Sequence, residues 1–287
     1  MPRWWHDGTR WLDSLPGLVE RQMDLWDLRG DGDVMHGSNA LVDPVRRGDR
    51  PLALRMTPPN VAVAAEVEAL RFWNGRGTVQ LFSADIDAGA TLLERLDGSA
   101  STRALSLDHA IPIVARLMRR LAVPAPPHVR STADVAQERV DNFEPAWLTL
   151  GQPFPRRVLD AALERAGELT TTTSTAAVNG DLHFEQVLAA EREPWLCVDP
   201  VLLRGDIEYD LARVLWSRLD EMTDDIEVRR HFDTLVDEAG LEPYRALRWM
   251  VFRTVDYWIW GLERGLTEDP RRCARLIGVF LTSGRDE

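Results

Sequence analysis

Apolar and polar positions change period twice along the 287-residue chain. Through residue 33, Trp and Leu recur among charged positions, and Pro16 to Trp26 is predicted as an amphipathic helix. From Val34 to Met56 the pattern becomes short apolar runs on either side of RRGDRP, which predicts two strands joined by a hairpin. A helix is expected to begin after Pro59, because Val63, Val67, Leu70 and Phe72 follow helical spacing in an Ala- and Glu-rich background. TVQLFSAD and ATLLERL read as two further strands around the DIDAGA turn, so the predicted order is strand, strand, helix, strand, strand.

After Leu96 the composition turns helical. Helices are expected near Asp108 to Leu121, Pro155 to Glu168, Glu208 to Leu219, Asp225 to Ala239, Pro243 to Gly265 and Pro270 to Leu281. The polar stretch Thr170 to Ala177 is a connector. Val187 to Ala190, Glu191 to Glu193 and Trp195 to Val198 read as strand, turn, strand. These patterns divide the chain into residues 1–96, a small β-rich lobe, and residues 97–287, a larger helical one.

Composition narrows the function. Hydrophobic residues make up 45% with no apolar run near the ~20 residues of a membrane span, so a soluble protein without a membrane partner is expected. The start MPRWWHDGTRW has no signal-peptide core, and a cytoplasmic location is expected. Cys197 and Cys273 are too few for a disulfide framework or a zinc cluster. The net charge of −12 disfavours nucleic acid, whose phosphates need a basic face; it would suit a cationic small molecule, although acidity also serves solubility. All 34 basic residues are Arg, which excludes a Walker P-loop and lysine Schiff-base chemistry.

The segment NGDLHFEQVL, followed by WLCVDPVLLRGDIEYDL, carries the chemistry. Gln186 stands five positions after Asp181, and Asp199 thirteen after Gln186. Phosphoryl-transfer enzymes of the protein-kinase type place an Asp base, a metal-holding amide and a metal-holding Asp at this kind of spacing, the last on a following hairpin. Negative charge spreads over the transferred phosphoryl, so the protein aligns the reactants and supplies positive charge, usually as Mg2+. Magnesium takes oxygen ligands and needs few protein side chains beyond the nucleotide phosphates. Gln186 and Asp199 are therefore metal candidates, and Asp181 is the candidate base for an alcohol acceptor.

EVEALRFWNGRGTVQLFSAD, LLERL, NGDLHFEQVLAAEREPWLCVDP and GDIEYDLA resemble the aminoglycoside phosphotransferase superfamily, within it the streptomycin and hydroxyurea phosphotransferase branch. The resemblance implies an α+β, bilobal, protein-kinase-like fold with ATP in the cleft, a small antiparallel sheet and one main helix in the first lobe, and a mostly helical second lobe. It also implies an adenine-binding hinge at Glu94 to Leu96, with Ser38 and Asn39 in the turn over the phosphates. Arg55 would be the phosphate-binding cation and Glu66 its helix-borne partner, with Glu68, two residues on, as the fallback. Arg55 stands where the family has Lys, Asn179 replaces the His of HGD, and Gln186 replaces Asn. Arg keeps its charge and forks onto phosphate oxygens, but it is bulkier than Lys.

Structural readings stand beside these roles. Asn179 and His183 support the catalytic loop, His183 as a hydrogen-bonding residue rather than a base. Asp206 and Asp210 can cap and anchor the helix that follows, and Asp210 can instead brace the catalytic loop. Arg55 could be an exposed edge residue. Trp249, Tyr257, Trp258 and Trp260 suggest core packing before a sugar platform, leaving Asp256 and Trp260 as substrate-site candidates. The expected activity is ATP- and Mg2+-dependent phosphorylation of a hydroxyl on a small natural product, an antibiotic. The alternatives are a kinase of an ordinary metabolite and a nucleotide-binding pseudokinase.

Overall fold

The computed structural model describes residues 8–37, 40–58 and 61–281. Two compact units emerge: Met1–Ala100 with Leu188–Pro200, and Ser101–Val187 with Val201–Glu287. The chain thus returns to the first unit for thirteen residues before completing the second.

The first unit opens with α1 (Gly8–Leu25), β1 (Arg29–Gly30), β2 (Met35–His36), β3 (Leu41–Arg47), β4 (Arg50–Met56), α2 (Val61–Trp73), β5 (Leu81–Asp85), β6 (Ala90–Glu94) and β7 (Asp97–Ser101). Helix α1 starts well before the predicted Pro16 and carries that proline inside it. An antiparallel sheet runs β1-β3-β4-β6-β5, with β2 added on β3. Arg47 faces Arg50 across a turn in which Gly48 adopts φ +59°, a conformation that glycine enters without the Cβ penalty. Strand β4 alternates: Leu52, Leu54 and Met56 are fully buried against Leu15, Leu28, Val45 and Leu92, while Arg55 points to the opposite face. Each such buried aliphatic side chain contributes about 1.5–3 kcal/mol of transfer free energy.

Helices α3 (Leu107–Leu121), α4 (Thr132–Thr149) and α5 (Arg156–Leu169) begin the second unit, followed in chain order by β8 (Ala176–Asn179), β9 (Val187–Ala189), β10 (Trp195–Cys197) and β11 (Leu202–Gly205). Then come α6 (Leu211–Ser217), α7 (Asp225–Ala239), α8 (Pro243–Glu263) and α9 (Glu268–Leu281). Strands β8 and β11 pair antiparallel in the second unit. The predicted helix over Glu208 to Leu219 is shorter, its ends tightening into 3-10 turns at Ile207–Asp210 and Leu219–Glu221. Helix α4 was not predicted. It starts at a capping box in which Ser131 and Asp134 exchange side-chain-to-backbone bonds, but its apolar stripe is weak and Pro145 interrupts the pattern. Helix α8 starts at Glu242, whose carboxylate accepts the amides of Tyr244 and Arg245, and it buries Trp249, Phe252 and Val255 in the helical core.

Candidate active site

In the first unit the site is an ion triad. Arg55 Nη1 lies 2.6 Å from Glu66 Oε2 and Nη2 lies 2.8 Å from Asp199 Oδ1. The triad assembles because β4 turns Arg55 away from the aliphatic core, α2 follows directly with Glu66 facing it, and the Leu188–Pro200 segment delivers Asp199. The side chains of Arg55 and Glu66 are only 8% and 13% exposed, against 38% for Asp199. Arg55 is therefore no edge residue. Burial works against its charge, and the two carboxylates outweigh that cost, raising its pKa. Burial also pushes the Glu66 carboxyl upward, with Arg55 pulling the other way. Glu68 is exposed, so the pairing resolves in favour of Glu66.

Asp199 has φ 51° and precedes Pro200. A proline disfavours helical conformations in the residue before it, and a left-handed conformation is strained for any residue with a Cβ, though least so for Asn and Asp. Such strain persists only where the surroundings fix it, which marks Asp199 as a position held for its side chain. Strand β10, two residues earlier, is sewn to the segment after α2: Cys197 N donates to Gly77 O at 2.9 Å and Val79 N to Cys197 O at 2.9 Å. Arg192, in the turn between β9 and β10, forks onto Glu94 at 2.9–3.2 Å and donates to the carbonyls of Gly75 and Thr78. The Glu94 carboxylate is thereby committed, and its amide donates to Gln80 O at 2.8 Å. Leu96 packs beside Leu70, Val79 and Leu93. Ser38 and Asn39 lie outside the described residues.

In the second unit the site is the loop after β8. Buried Leu182 and Phe184 anchor it, and Asp181 and Glu185 alternate outward. Gly180 sits at a close approach: a Cβ there would meet Leu203 Cδ1 at 2.7 Å and push that side chain aside. Asn179 is buried, and its Oδ1 accepts from Val201 N at 3.1 Å and from Asp181 N at 3.4 Å. It fixes the loop from beneath. The Asp181 side chain is 43% exposed, and Arg213 Nε donates to its Oδ1 at 2.7 Å. Gln186 Nε2 reaches Asp181 Oδ2 at 3.5 Å, at the edge of hydrogen-bonding range. His183 lines a cavity of about 120 Å³ with Glu185, Arg213, Trp216 and Asp269.

Gln186 Oε1 is buried without a hydrogen-bond partner among the described residues. An orphaned hard oxygen of this kind, on the side chain at the predicted amide position, suits a magnesium ligand, and the half-exposed carboxylate of Asp199 does so as well. Among the described residues no group of three or more His, Cys, Asp or Glu could hold a metal by itself.

Neither Asp206 nor Asp210 caps a helix through its side chain. Asp206 is buried and accepts from Thr172 at 2.6 Å, Arg245 at 2.8 Å and Trp249 Nε1 at 2.8 Å, which places Trp249 in the core. Asp210 is buried, and burial pushes its pKa well up, with the Leu182 amide pulling the other way. It lies beside Leu182, against the loop after β8. Of the substrate-site candidates, Asp256 is tied to Arg253 and, at 3.1 Å, to Arg139. Trp260 stacks on Tyr257 with centroids 5.0 Å apart, and Tyr257 stacks on Trp216 at 4.2 Å. Trp258 packs on Phe154.

These residues fit a kinase. The aminoglycoside/hydroxyurea antibiotic resistance kinase family matches residues 25–265. The chain belongs to this family. It is 39% identical to streptomycin 6-kinase of Streptomyces griseus, over 91% of this chain and 87% of that protein. It is 36% identical to hydroxyurea phosphotransferase of Kitasatospora aureofaciens, over 96% of this chain and 81% of that protein. Among solved structures, aminoglycoside phosphotransferase APH(4)-Ia is similar with a TM-score of 0.64 at 15% identity, covering 94% of this chain and 99% of that one. At that identity the likeness shows the fold, an α+β kinase-like one. As a member of this kinase family the protein is a phosphotransferase acting on small molecules. The residue that sequence reasoning missed is Arg213: nothing in DLARVL distinguishes a helical Arg that reaches back 32 positions to Asp181.

Proposed function

We propose that this kinase transfers the terminal phosphoryl group of ATP to a hydroxyl of a small natural product, an antibiotic that the added charge inactivates, giving resistance in the cytoplasm. The observation that carries this reading is the Arg55–Glu66–Asp199 triad, a buried cation held between a helix carboxylate and the carboxylate suited to a metal. Residues 1–96 serve as the nucleotide-binding lobe and residues 97–287 as the catalytic and acceptor-binding lobe. Arg55 binds phosphate oxygens, exchanging its bond to Asp199 for them, and Glu66 keeps the guanidinium oriented. Backbone groups of Glu94 and Leu96 bind adenine, and Ser38 and Asn39 cover the phosphates. Asp199 and Gln186 would hold Mg2+, which would supply positive charge against the negative charge building on the phosphoryl group.

Asp181 accepts the hydrogen bond of the acceptor hydroxyl and takes its proton as the new P–O bond forms. In a loose transition state its chief service is orientation, which suits a half-exposed carboxylate whose loop is pinned by Asn179, Leu182 and Asp210. The test is mass spectrometry of streptomycin and hydroxyurea, the substrates named for the two relatives, after incubation with ATP and Mg2+. A gain of one phosphoryl group that D181N abolishes supports the reading; nucleotide binding without any product sinks it.

A further inference from the structure

Asp210, the residue before helix α6, and Arg213, in its first turn, stand three positions apart and both lie against the loop after β8. Asp210 lies beside Leu182, and Arg213 Nε donates to Asp181 Oδ1 at 2.7 Å. With its partners 23% and 43% exposed, the Arg213–Asp181 pair adds little to folding. Its surroundings are nevertheless organised. The guanidinium lies 6.0 Å from the Trp216 ring, which stacks at 6° on Tyr257, which stacks at 15° on Trp260. This three-ring ladder backs the guanidinium with an electron-rich face. Only Nε is spent on Asp181: among the described residues, Nη1 and Nη2 take part in no hydrogen bond or ion pair, and Arg213 lines the 120 Å³ cavity with His183, Glu185 and Asp269. The chain has no lysine, so the positive charge on this carboxylate comes from an arginine.

We propose that Arg213 is a positioning residue for the transfer: Nε aims Asp181 at the acceptor hydroxyl, and the Nη groups hold a second oxygen of the acceptor in the adjoining cavity. The inference rests on Asp181 being the base. In the step it serves, the acceptor oxygen bonds to the terminal phosphorus, the bridging P–O bond breaks with its electrons leaving on ADP, and the hydroxyl proton passes to Asp181.

The experiment compares wild type, R213Q, R213K, D181N and D181N/R213Q with ATP and Mg2+, using streptomycin and hydroxyurea as acceptors and a thermal melt as the folding control. A misdirected base predicts a loss of about 100-fold in kcat/KM for the acceptor in R213Q, while KM for ATP stays within about twofold. R213K, which keeps charge without the planar fork, recovers only part of that loss. The double variant has a kcat no lower than D181N, because the aiming of the base is already lost there, while its KM for the acceptor rises further as the Nη contacts go. The inference is overturned if R213Q turns over like wild type, if its defect lies in KM for ATP, or if the two substitutions multiply in kcat. Should R213Q fail to fold, R213K and D181N/R213K give the same comparison. Turnover of neither acceptor by the wild type removes the reading of the site, and this inference with it.

Discussion

The two units build their candidate site residues in opposite ways. In the first unit, Arg55 and Glu66 are nearly sealed from solvent and charge is balanced by charge. In the second, Asp181 stands 43% exposed on a loop held mainly by backbone bonds and by the buried Leu182 and Phe184. A buried ion triad resists rearrangement because removing one partner strands the others in a low dielectric. An exposed carboxylate on a pinned loop is cheap to perturb thermodynamically, yet its direction matters for chemistry. Substitutions among the first unit's site residues should therefore register as stability and nucleotide affinity, and those among the second's as turnover.

Four substitutions can break that contrast. The largest effect is expected for D181N, with turnover falling by about 10²–10⁴-fold and the melting temperature unchanged. Next comes R55M, which leaves Glu66 without its cation and should cost about 3–5 kcal/mol in chemical denaturation. G180A tests the pinned loop: with Leu203 Cδ1 2.7 Å from the added carbon, overpacking should cost about 1–3 kcal/mol, and any turnover loss beyond that of folded protein would show the loop displaced.

The smallest effect concerns pH. Burial pushes Glu66 up to about 7 from an ordinary 4.5, so the folded state holds a proton that the unfolded chain has released. Stability from this group falls as pH rises from about 4.5 to about 7, because in that window the folded state binds more protons. E66Q, which mimics the protonated form, should flatten the decline. Unfolding free energies of both proteins at pH 5 and pH 8 check the sign; parallel curves would mean that Arg55 keeps Glu66 ionised throughout.

How much of this was legible in the sequence follows from the range of the interactions. Strands β3 to β6 and helix α2 announced themselves through periodicity, and Arg55 and Glu66 through the family resemblance. Asp181, Gln186 and Asp199 were picked out by spacing, although no spacing reports that Asp199 sits in a left-handed conformation or that Gln186 Oε1 is orphaned. Helix α4 escaped because its signal is a cap at Ser131 rather than an apolar stripe, and Pro145 reads as a breaker. Asp206 resembled a cap, since an acidic residue before a helix is most simply a cap, and Asp210 read equally as a cap or as a brace for the loop after β8. The partners of Asp206, Trp249 and Arg245, and the neighbour of Asp210, Leu182, are set by packing between distant segments. Arg213 was invisible for the same reason.

The division of labour between the two carboxylates is best settled by calorimetric titration of ADP into wild type, D181N and D199N, with and without Mg2+. D181N should bind Mg2+-ADP as the wild type does, whereas D199N should lose the enhancement that Mg2+ confers. Equal magnesium enhancement in D199N and wild type, or its loss in D181N instead, would show that the metal and base roles have been assigned to the wrong side chains.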